Sequence, residues 1–323
     1  MAASGSRTSP MSSPATASPP NVVRGLEDEA RTIAALAQQA SVETTWHDRD
    51  RFDACSRHLA RGTPMYVSFI PGQTWERTLS TCVAVRAAGL EPVPHVPVRE
   101  LRGQAALEHL AAELVDRANV GRVLLIAGDR AKPLGPYAQS LDVLRNGVLA
   151  RYHIRQVVVA GHPEGHPSVS ISELRRAERE KLRFAAEAGI ELSFLTQFFF
   201  DHAPFLAWVR ELRAHGVRAR IVAGLAGPAR LATLFKYALR CGVGASIRAL
   251  GARPSSVAVL VGERGPESIV RAIARARREP GIEPVGIHLY SFGGLERTCA
   301  WIGAVARCRF ALDDQGGFVV EER

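Results

Sequence analysis

Polar and ionisable side chains follow most of the strongly apolar segments of this chain. They are Glu43, Ser68, His95, Asp129, His162, Glu164, His166, Thr196, Gln197, Asp201, Tyr290 and Ser291. Such groups cost free energy beside an apolar run unless they are hydrogen-bonded or used. Glu43 is a candidate general acid, because an apolar pocket can hold a carboxyl protonated. The alternative for Glu43 is a salt bridge to a nearby arginine.

Two histidines, His162 and His166, stand at H-x3-H spacing in GHPEGHP (161–167). A metal site would need both rings on one helix face and a third ligand. The prolines and glycines between them oppose a regular helix. The pattern therefore favours a rigid loop whose histidines form local hydrogen bonds or touch a ligand, and we predict no metal.

Two further strand ends carry groups that suit the binding of a heterocycle. In TQFFFD (196–201), Gln197 offers a paired donor and acceptor, and the phenylalanines offer an apolar wall. The alternative is a barrel core followed by Asp201 as the cap of a helix that begins near Pro204. In AGD (127–129), the spacing fits Asp129 equally well as a helix cap or as a catalytic carboxylate.

The elements that position these residues alternate between short apolar runs and amphipathic helical stretches. The runs are 41–46, 64–70, 91–96, 122–128, 154–161, 191–200, 218–224 and 284–291, and the helices include 25–39, 77–89, 106–118, 181–189, 204–216, 229–250 and 266–278. Eight strand-helix units predict an α/β protein with the (β/α)8 TIM-barrel fold. A doubly wound sheet is the alternative, but the first strand lacks a glycine-rich phosphate loop. A barrel places its active site at the carboxyl ends of the strands, where the polar residues lie.

The composition limits the class of protein. The chain has 323 residues, 46% of them apolar and 23% charged, which is typical of a globular domain. Its net charge of +9 comes from arginines mixed with acidic residues, so we expect no nucleic-acid partner. No apolar run reaches the roughly 18 residues of a membrane span. Residues 1–25 predict a disordered Ser/Ala/Pro-rich tail without the apolar region of a secretory signal, and 26–323 predict a single barrel domain of a cytoplasmic protein that forms a homo-oligomer.

Several motifs together resemble the methylenetetrahydrofolate reductase family. They are VAGHPEGHP, LTQFFFD about thirty residues later and IVAGLAGP after the next helix, with PHV (94–96) and Gly-Asp (128–129) upstream in the right order. The resemblance covers roughly residues 40–305. It implies a (β/α)8 barrel that holds FAD non-covalently across the strand ends and interconverts 5,10-methylenetetrahydrofolate and 5-methyltetrahydrofolate. NADH or NADPH would be the co-substrate, within one-carbon metabolism and methionine biosynthesis.

The resemblance also implies roles for individual residues. Glu43 would be the general acid that protonates folate N10, and Asp129 would lie between the pterin and the flavin pyrimidine edge. The implied folate contacts are Gln197, Tyr237 and Tyr290, and the implied flavin contacts are Ser68, His95, Asp129, Ala160, His162 and His166, with Lys181 and Arg183 near the pyrophosphate.

Some positions depart from the family pattern. The first strand reads ETTWH where the family has Glu-Phe-Phe-Pro-Pro, and Phe184 with Ala185 stand where the family has an Arg-Lys pair. These departures are similar to those of a divergent branch that accompanies tetrahydrofolate-dependent demethylases. They leave a second hypothesis, a non-redox accessory protein that binds folate for such a demethylase. A pterin-dependent methyltransferase barrel is a third, but the sequence has no Cys/His cluster for zinc.

Overall fold

Eight parallel strands close into a barrel in a computed structural model, in which residues 20–166, 169–240 and 263–321 are described. The strands are β1 (Ser41–Thr44), β2 (Pro64–Val67), β3 (Glu91–Pro97), β4 (Arg122–Ile126), β5 (Gln156–Gly161), β6 (Glu191–Phe198), β7 (Arg220–Ala226) and β8 (Val285–Tyr290). They pair in chain order, and β8 pairs with β1 to close the ring. The predicted (β/α)8 fold is therefore confirmed, and each predicted strand run overlaps one barrel strand, although β3 and β7 extend one and two residues beyond their runs.

The strands form where runs of Val, Ile and Leu are buried on both faces, as expected for a parallel sheet under helices. Six strands each send one side chain into a cluster inside the barrel. This interior cluster consists of Tyr66, Val93, Leu124, Val158, Leu195 and Val222. It fills the space below the carboxyl ends, so the barrel is a packed core rather than a pore.

The helices surround the barrel. They are α1 (Pro20–Gln38), α2 (Phe52–Ser56), α3 (Trp75–Ala87), α4 (Gln104–Ala118), α5 (Ser140–Arg145), α6 (Val148–Arg151), α7 (Ile171–Glu187), α8 (His202–Ala214), α9 (Leu231–Arg240), α10 (Glu267–Ala276) and α11 (Leu295–Ala306). Asp201 caps α8 by accepting a hydrogen bond from the Ala203 backbone N–H at 2.9 Å, which was one of the alternatives left open by the sequence, although the helix begins at His202 rather than near Pro204. Of the predicted helix 229–250, residues 241–250 lie outside the described residues. No described helix is long and apolar enough to cross a membrane.

Helix α1 begins at Pro20, within the segment 1–25 that was predicted as a tail, and residues 1–19 of that segment lie outside the described residues. Its apolar face packs into the main core, where Ile33 and Leu36 are fully buried. A buried ion pair adds to this packing, because Glu29 accepts hydrogen bonds from Arg271 of α10 at 2.8 Å and from Arg275 at 2.6 Å. Burial of Ile33 and Leu36 and the ion pair of Glu29 therefore hold α1 against the barrel.

The same Arg271 reaches the carboxyl-terminal part of the chain. Its guanidinium donates to the carbonyl oxygens of Asp313 and Gly317, each at 2.6 Å. These carbonyls lie in and beside the turn of a hairpin whose strands are Phe310–Leu312 and Phe318–Val320. One buried arginine therefore joins α1, α10 and the hairpin on the outside of the barrel.

Candidate active site

A cavity of about 1360 Å³ opens at the carboxyl ends of the barrel strands. Ten of the residues predicted for the site line it, namely Glu43, Ser68, His95, Asp129, Ala160, His162, His166, Gln197, Tyr237 and Tyr290. Residues from seven strands or the loops after them, and from α9, are thus brought to one place. The convergence follows from the parallel barrel, in which every strand ends at the same rim.

Glu43 lies at the floor of this cavity, in the middle of β1, between two imidazoles. Its Oε2 is 3.6 Å from Nε2 of His95 on β3 and 3.7 Å from Nε2 of His288 on β8. The surroundings of Glu43 are therefore not the apolar pocket considered from the sequence, nor an arginine salt bridge among the described residues. Two buried histidines replace both alternatives.

The histidines change the acidity of Glu43. Burial alone would raise the pKa of this carboxyl, but the nearby His288 ring, the charge of His95 and the nearby Ser68 hydroxyl together lower it. Burial lowers the pKa of His95, against the opposing effect of the Glu43 charge. The carboxylate form of Glu43 is therefore favoured in the protein alone, which is the reverse of an acid held protonated by an apolar pocket.

Four buried polar atoms at the cavity floor or directly beneath it have no hydrogen-bond partner among the described residues. They are Glu43 Oε2, Ser68 Oγ, His95 Nε2 and His288 Nε2. Buried polar atoms are nearly always satisfied in native proteins, and exceptions concentrate where a ligand or ordered water binds. The floor of the cavity is therefore arranged to receive hydrogen-bonding groups.

One wall of the cavity is aromatic. The Phe198 ring is 5.0 Å from Phe292 and 5.9 Å from Tyr290, and Tyr237 of α9 lies 4.6 Å from Phe292. Gln197 is exposed at the rim, and its Oε1 accepts a hydrogen bond from the Phe198 N–H at 3.1 Å. Its side-chain amide NH2 group thus stands beside a flat apolar surface, an arrangement suited to an aromatic heterocycle with a polar edge.

Another part of the cavity lining comes from β5, which pairs with β6, and from the GHPEGHP loop that follows β5. Ala160 and His162 belong to this part, and the His162 ring is 5.6 Å from that of His166. Burial, with the nearby charge of Lys181, lowers the pKa of His162 to about 4, so this ring is neutral at neutral pH. Among the described residues no group of three or more His, Cys, Asp and Glu side chains could hold a metal ion.

Two predicted cofactor contacts do not reach the cavity. Lys181 and Arg183 lie on α7, and neither is among the described residues that line the cavity. Burial lowers the pKa of Lys181, and Glu178 partly offsets this. Arg183 is exposed. Asp129, in contrast, lies exposed at the rim after Gly128, whose φ of +88° turns the chain over Pro97.

Sequence reasoning missed three residues that help to form the site. His288 was hidden inside the apolar run of β8, although its polar ring in the middle of VGIHLY was a signal. Asp48 is buried beside the cavity, where it accepts from the Thr45 N–H at 3.0 Å, and Arg51 lines the mouth next to it. The spacing of Asp48 and Arg51 in a short helical turn gave no sign of this placement.

Comparisons with known proteins find similarity in sequence and in structure. The chain is 29% identical over 129 residues to methylenetetrahydrofolate reductase (NADH) 1 of Arabidopsis thaliana, and the alignment spans 36% of this chain but 22% of that protein. Among solved structures, dihydropteroate synthase (FolP) from Thermus thermophilus gives a TM-score of 0.45 at 13% identity, covering 82% of this chain and 92% of that chain. A β-N-acetylhexosaminidase gives 0.28 at 10% identity, over 58% and 54%.

A family model described as methylenetetrahydrofolate reductase matches residues 44–244. The match includes eight of the ten predicted site residues that line the cavity, whereas Glu43 precedes the match by one residue and Tyr290 follows it. The two outlying residues face the same cavity as the matched ones. Because the match covers more than half of its length, the chain belongs to the methylenetetrahydrofolate reductase family.

Proposed function

We propose that this protein is a flavin-dependent oxidoreductase that interconverts 5,10-methylenetetrahydrofolate and 5-methyltetrahydrofolate with NADH or NADPH. The observation that carries the proposal is the meeting of Glu43, Asp129 and Gln197 in one cavity of a chain of this family. The cavity offers a carboxylate at its floor, a carboxylate at its rim and an amide beside an aromatic wall. Groups of these kinds can hydrogen-bond the polar edge of a folate while the aromatic wall contacts its rings.

The cavity residues fit a flavin in size and polarity. Pockets for one drug-sized ligand measure roughly 300–1,000 Å³, and about 1360 Å³ leaves room for a second molecule face to face with the first. Ser68, His95, Ala160 and His162 would hold the ring system, with His166 near them. The unpartnered Ser68 Oγ and His95 Nε2 would meet its polar edge. The chemistry supplied by bound FAD is hydride transfer between the nicotinamide and the folate.

The acid-base part of the reaction would fall to Glu43. Opening the five-membered ring of methylenetetrahydrofolate releases N10 as an amine, and an amine leaving group needs a proton. The carbon left behind is an iminium cation, the form that accepts hydride. The negative charge of Asp129 at the rim would stabilise this cation, while Gln197 and the ring of Tyr237 would orient the pterin and aminobenzoate groups.

The visible spectrum of the purified protein tests the proposal. We expect flavin absorbance, bleaching on anaerobic addition of NADH or NADPH, and return of the colour on addition of methylenetetrahydrofolate. A protein that takes up no flavin after incubation with FAD would contradict the proposal. A protein that holds flavin but does not recolour with the folate would contradict the substrate assignment alone.

A second function rests on the positions of Lys181 and Arg183. Neither lines the cavity, so the described lining lacks the lysine and arginine pair expected near a pyrophosphate. The chain would then be an accessory protein that holds folate for a partner demethylase without redox chemistry. Micromolar folate binding by a protein that shows no flavin absorbance after incubation with FAD would favour this function.

A further inference from the structure

Arg51 lies at the mouth of the cavity and has no part in the function proposed above. It ends the 3-10 turn Trp46–Arg51 that follows β1, and its side chain is 47% exposed. Among the described residues that line the cavity, Arg51 is the single arginine or lysine. The described lining also contains the carboxyl groups of Glu43, Asp48, Asp129 and Glu164. A bound molecule with a negative charge therefore has one guanidinium to meet in this lining.

The turn that carries Arg51 is held by contacts on two sides. Asp48 is buried, and its Oδ2 accepts hydrogen bonds from the Thr45 N–H at 3.0 Å and from Thr45 Oγ1 at 2.9 Å. On the other side, the guanidinium of Arg77 on α3 lies 4.4 Å from the centroid of the Trp46 ring, a cation–π contact. The backbone that leads to Arg51 is therefore fixed beside the mouth.

Asp48 also contacts the Arg51 guanidinium, but through one atom pair. Its Oδ1 accepts a hydrogen bond from Arg51 Nη1 at 3.4 Å, which is long for two charged groups. Nε and Nη2 of Arg51 have no hydrogen-bond partner in the part of the chain that the structure describes. These two nitrogens form one edge of the guanidinium, and such an edge matches the two oxygens of a carboxylate.

The place of Arg51 in the ring of strands bears on which anion it meets. β1 pairs with β8, so the turn after β1 neighbours the loop after β8, where Tyr290 and Phe292 belong to the aromatic wall. The residues expected near a flavin pyrophosphate follow β5, which stands four strands from β1 in either direction. The phosphates of a flavin are thus expected across the mouth from Arg51, whereas the proposed folate contact Tyr290 lies on the neighbouring strand.

A folate carries its negative charge at one end. N10 bears a benzoyl group, and an amide joins this group to a glutamate whose carboxylates are ionised at neutral pH. In the proposed function N10 meets Glu43 at the cavity floor, and the interior cluster closes the barrel below it. The glutamate must then lie towards the mouth, where Arg51 is the cation among the described lining residues.

We propose that Arg51 binds a carboxylate of the folate glutamate and that Asp48 is its positioning residue. The inference rests on the folate part of the proposed function and not on its redox part. Nε and Nη2 of Arg51 donate to the two oxygens of one carboxylate, while Asp48 holds Nη1. Arg51 thereby makes the protein selective for folates that keep the glutamate.

Anaerobic equilibrium binding of two ligands to the purified protein, after incubation with FAD, tests this contact. One ligand is tetrahydrofolate, and the other is its analogue in which methylamine replaces glutamate, so that the amide stays and the carboxylates are lost. We expect the wild type to bind tetrahydrofolate about fivefold more tightly, which lies between the effects of exposed ion pairs and of charged hydrogen bonds. The preference should shrink as salt concentration rises, because salt screens an exposed charge pair.

Variants of Arg51 separate its charge from its shape. In Arg51→Gln the two ligands should bind alike. Arg51→Lys should keep part of the preference, since lysine keeps the charge but lacks the paired donors. Arg49→Gln is the matched control, because Arg49 is exposed in the same turn but does not line the cavity. This control should keep the wild-type preference, and an equal loss in Arg49→Gln would show that net charge, not contact, attracts the folate.

The outcomes separate the inference from the proposed function. A wild type that binds the two ligands equally, or an Arg51→Gln variant that keeps the full preference, would overturn the role of Arg51. So would an Arg51→Gln variant in which only the KM for NADH or NADPH rises, since Arg51 would then bind the phosphates of that co-substrate. A protein that prefers tetrahydrofolate through Arg51 but shows no flavin chemistry would defeat the redox part of the proposed function alone.

Discussion

The Tyr290 hydroxyl donates a hydrogen bond to the Thr196 carbonyl oxygen at 3.0 Å, joining β8 to β6 across the intervening strand β7. The bond passes over Gly224 of β7, whose N–H donates to Thr196 Oγ1 at 2.9 Å. A Cβ at position 224 would lie 2.2 Å from the Thr196 carbonyl oxygen and 2.8 Å from the Tyr290 ring. Glycine at this position is therefore what allows Tyr290 to lean across the rim and form part of the aromatic wall.

Gly224→Ala should destabilise the protein by about 2 kcal/mol, since the contact with the Thr196 carbonyl is with backbone and overpacked cores typically lose 1–3 kcal/mol. Urea unfolding of the purified variant measures this loss. Gly121→Ala is the matched control, because a Cβ there meets nothing within 4 Å. Equal stability of the two variants would show that β6 and β7 adjust without cost.

Glu43→Gln should abolish folate turnover and leave flavin reduction by NADH or NADPH near the wild-type rate. Only the folate half of the reaction needs a proton at N10, and loss of a general acid costs about 10²–10⁴-fold in rate. Stopped-flow measurement of the two half-reactions separates them. Glu76→Gln, on the exposed face of α3, is the control with both rates unchanged. An equal loss in both half-reactions would contradict the role given to Glu43.

Asp129→Asn should lower folate turnover less completely than Glu43→Gln and should change the flavin midpoint potential. Removing a negative charge near the flavin edge makes the reduced, more negative form easier to reach, so the potential should rise. Equilibration with a reference dye measures it. Asp116→Asn on α4 removes an exposed charge away from the cavity and controls for net charge. A potential that does not move would place Asp129 away from the flavin.

Glu29→Gln should destabilise the fold by about 3 kcal/mol at neutral pH, the usual cost of removing one partner of a buried ion pair. Burial raises the pKa of Glu29, but hydrogen bonds from Arg271 and Arg275 outweigh it and lower the pKa below its ordinary value. A carboxyl whose folded-state pKa is depressed stabilises the fold above its unfolded pKa and loses this contribution as the pH falls through the folded pKa.

The stability of the wild type should therefore approach that of Glu29→Gln in acid. Urea unfolding at neutral and at acidic pH checks this convergence. Glu76→Gln serves again as the control, because its ion pair with Arg117 is exposed. A difference between wild type and Glu29→Gln that stays constant with pH would mean that packing, not charge, holds α1 to α10.

The sequence was sufficient for the barrel because its signals are local. Each buried strand is a short run of Val, Ile and Leu bounded by polar or turn residues, as in RVLLIAG for β4, and such runs can be read one at a time. The polar residues after them were informative for the same reason. In a closed barrel of parallel strands, the carboxyl ends of all the strands lie at the same end. The fold prediction therefore also predicted that Glu43, Asp129 and Gln197 lie near one another.

The side chains that surround Glu43 could not be predicted from the residues near it in the sequence. The partners of this carboxyl, His95 and His288, are 52 and 245 positions away in the chain, and only barrel closure brings them within 4 Å of it. The ion pair of Glu29 is another long-range contact, because its partner Arg271 lies near the other end of the chain. Contacts of this kind set the acidity of a group, whereas composition and periodicity indicate the helices and strands.

The apolar cluster inside the barrel, from Tyr66 to Val222, determines how molecules enter and leave the cavity. It seals the route beneath Glu43, so a molecule that reaches the carboxylate leaves through the rim by which it arrived. Two reactants that use the same part of the cavity must then bind one after the other. The second can bind only after the product of the first has been released. The interior cluster that stabilises the barrel therefore also restricts the order in which molecules can bind at the carboxyl ends of the strands.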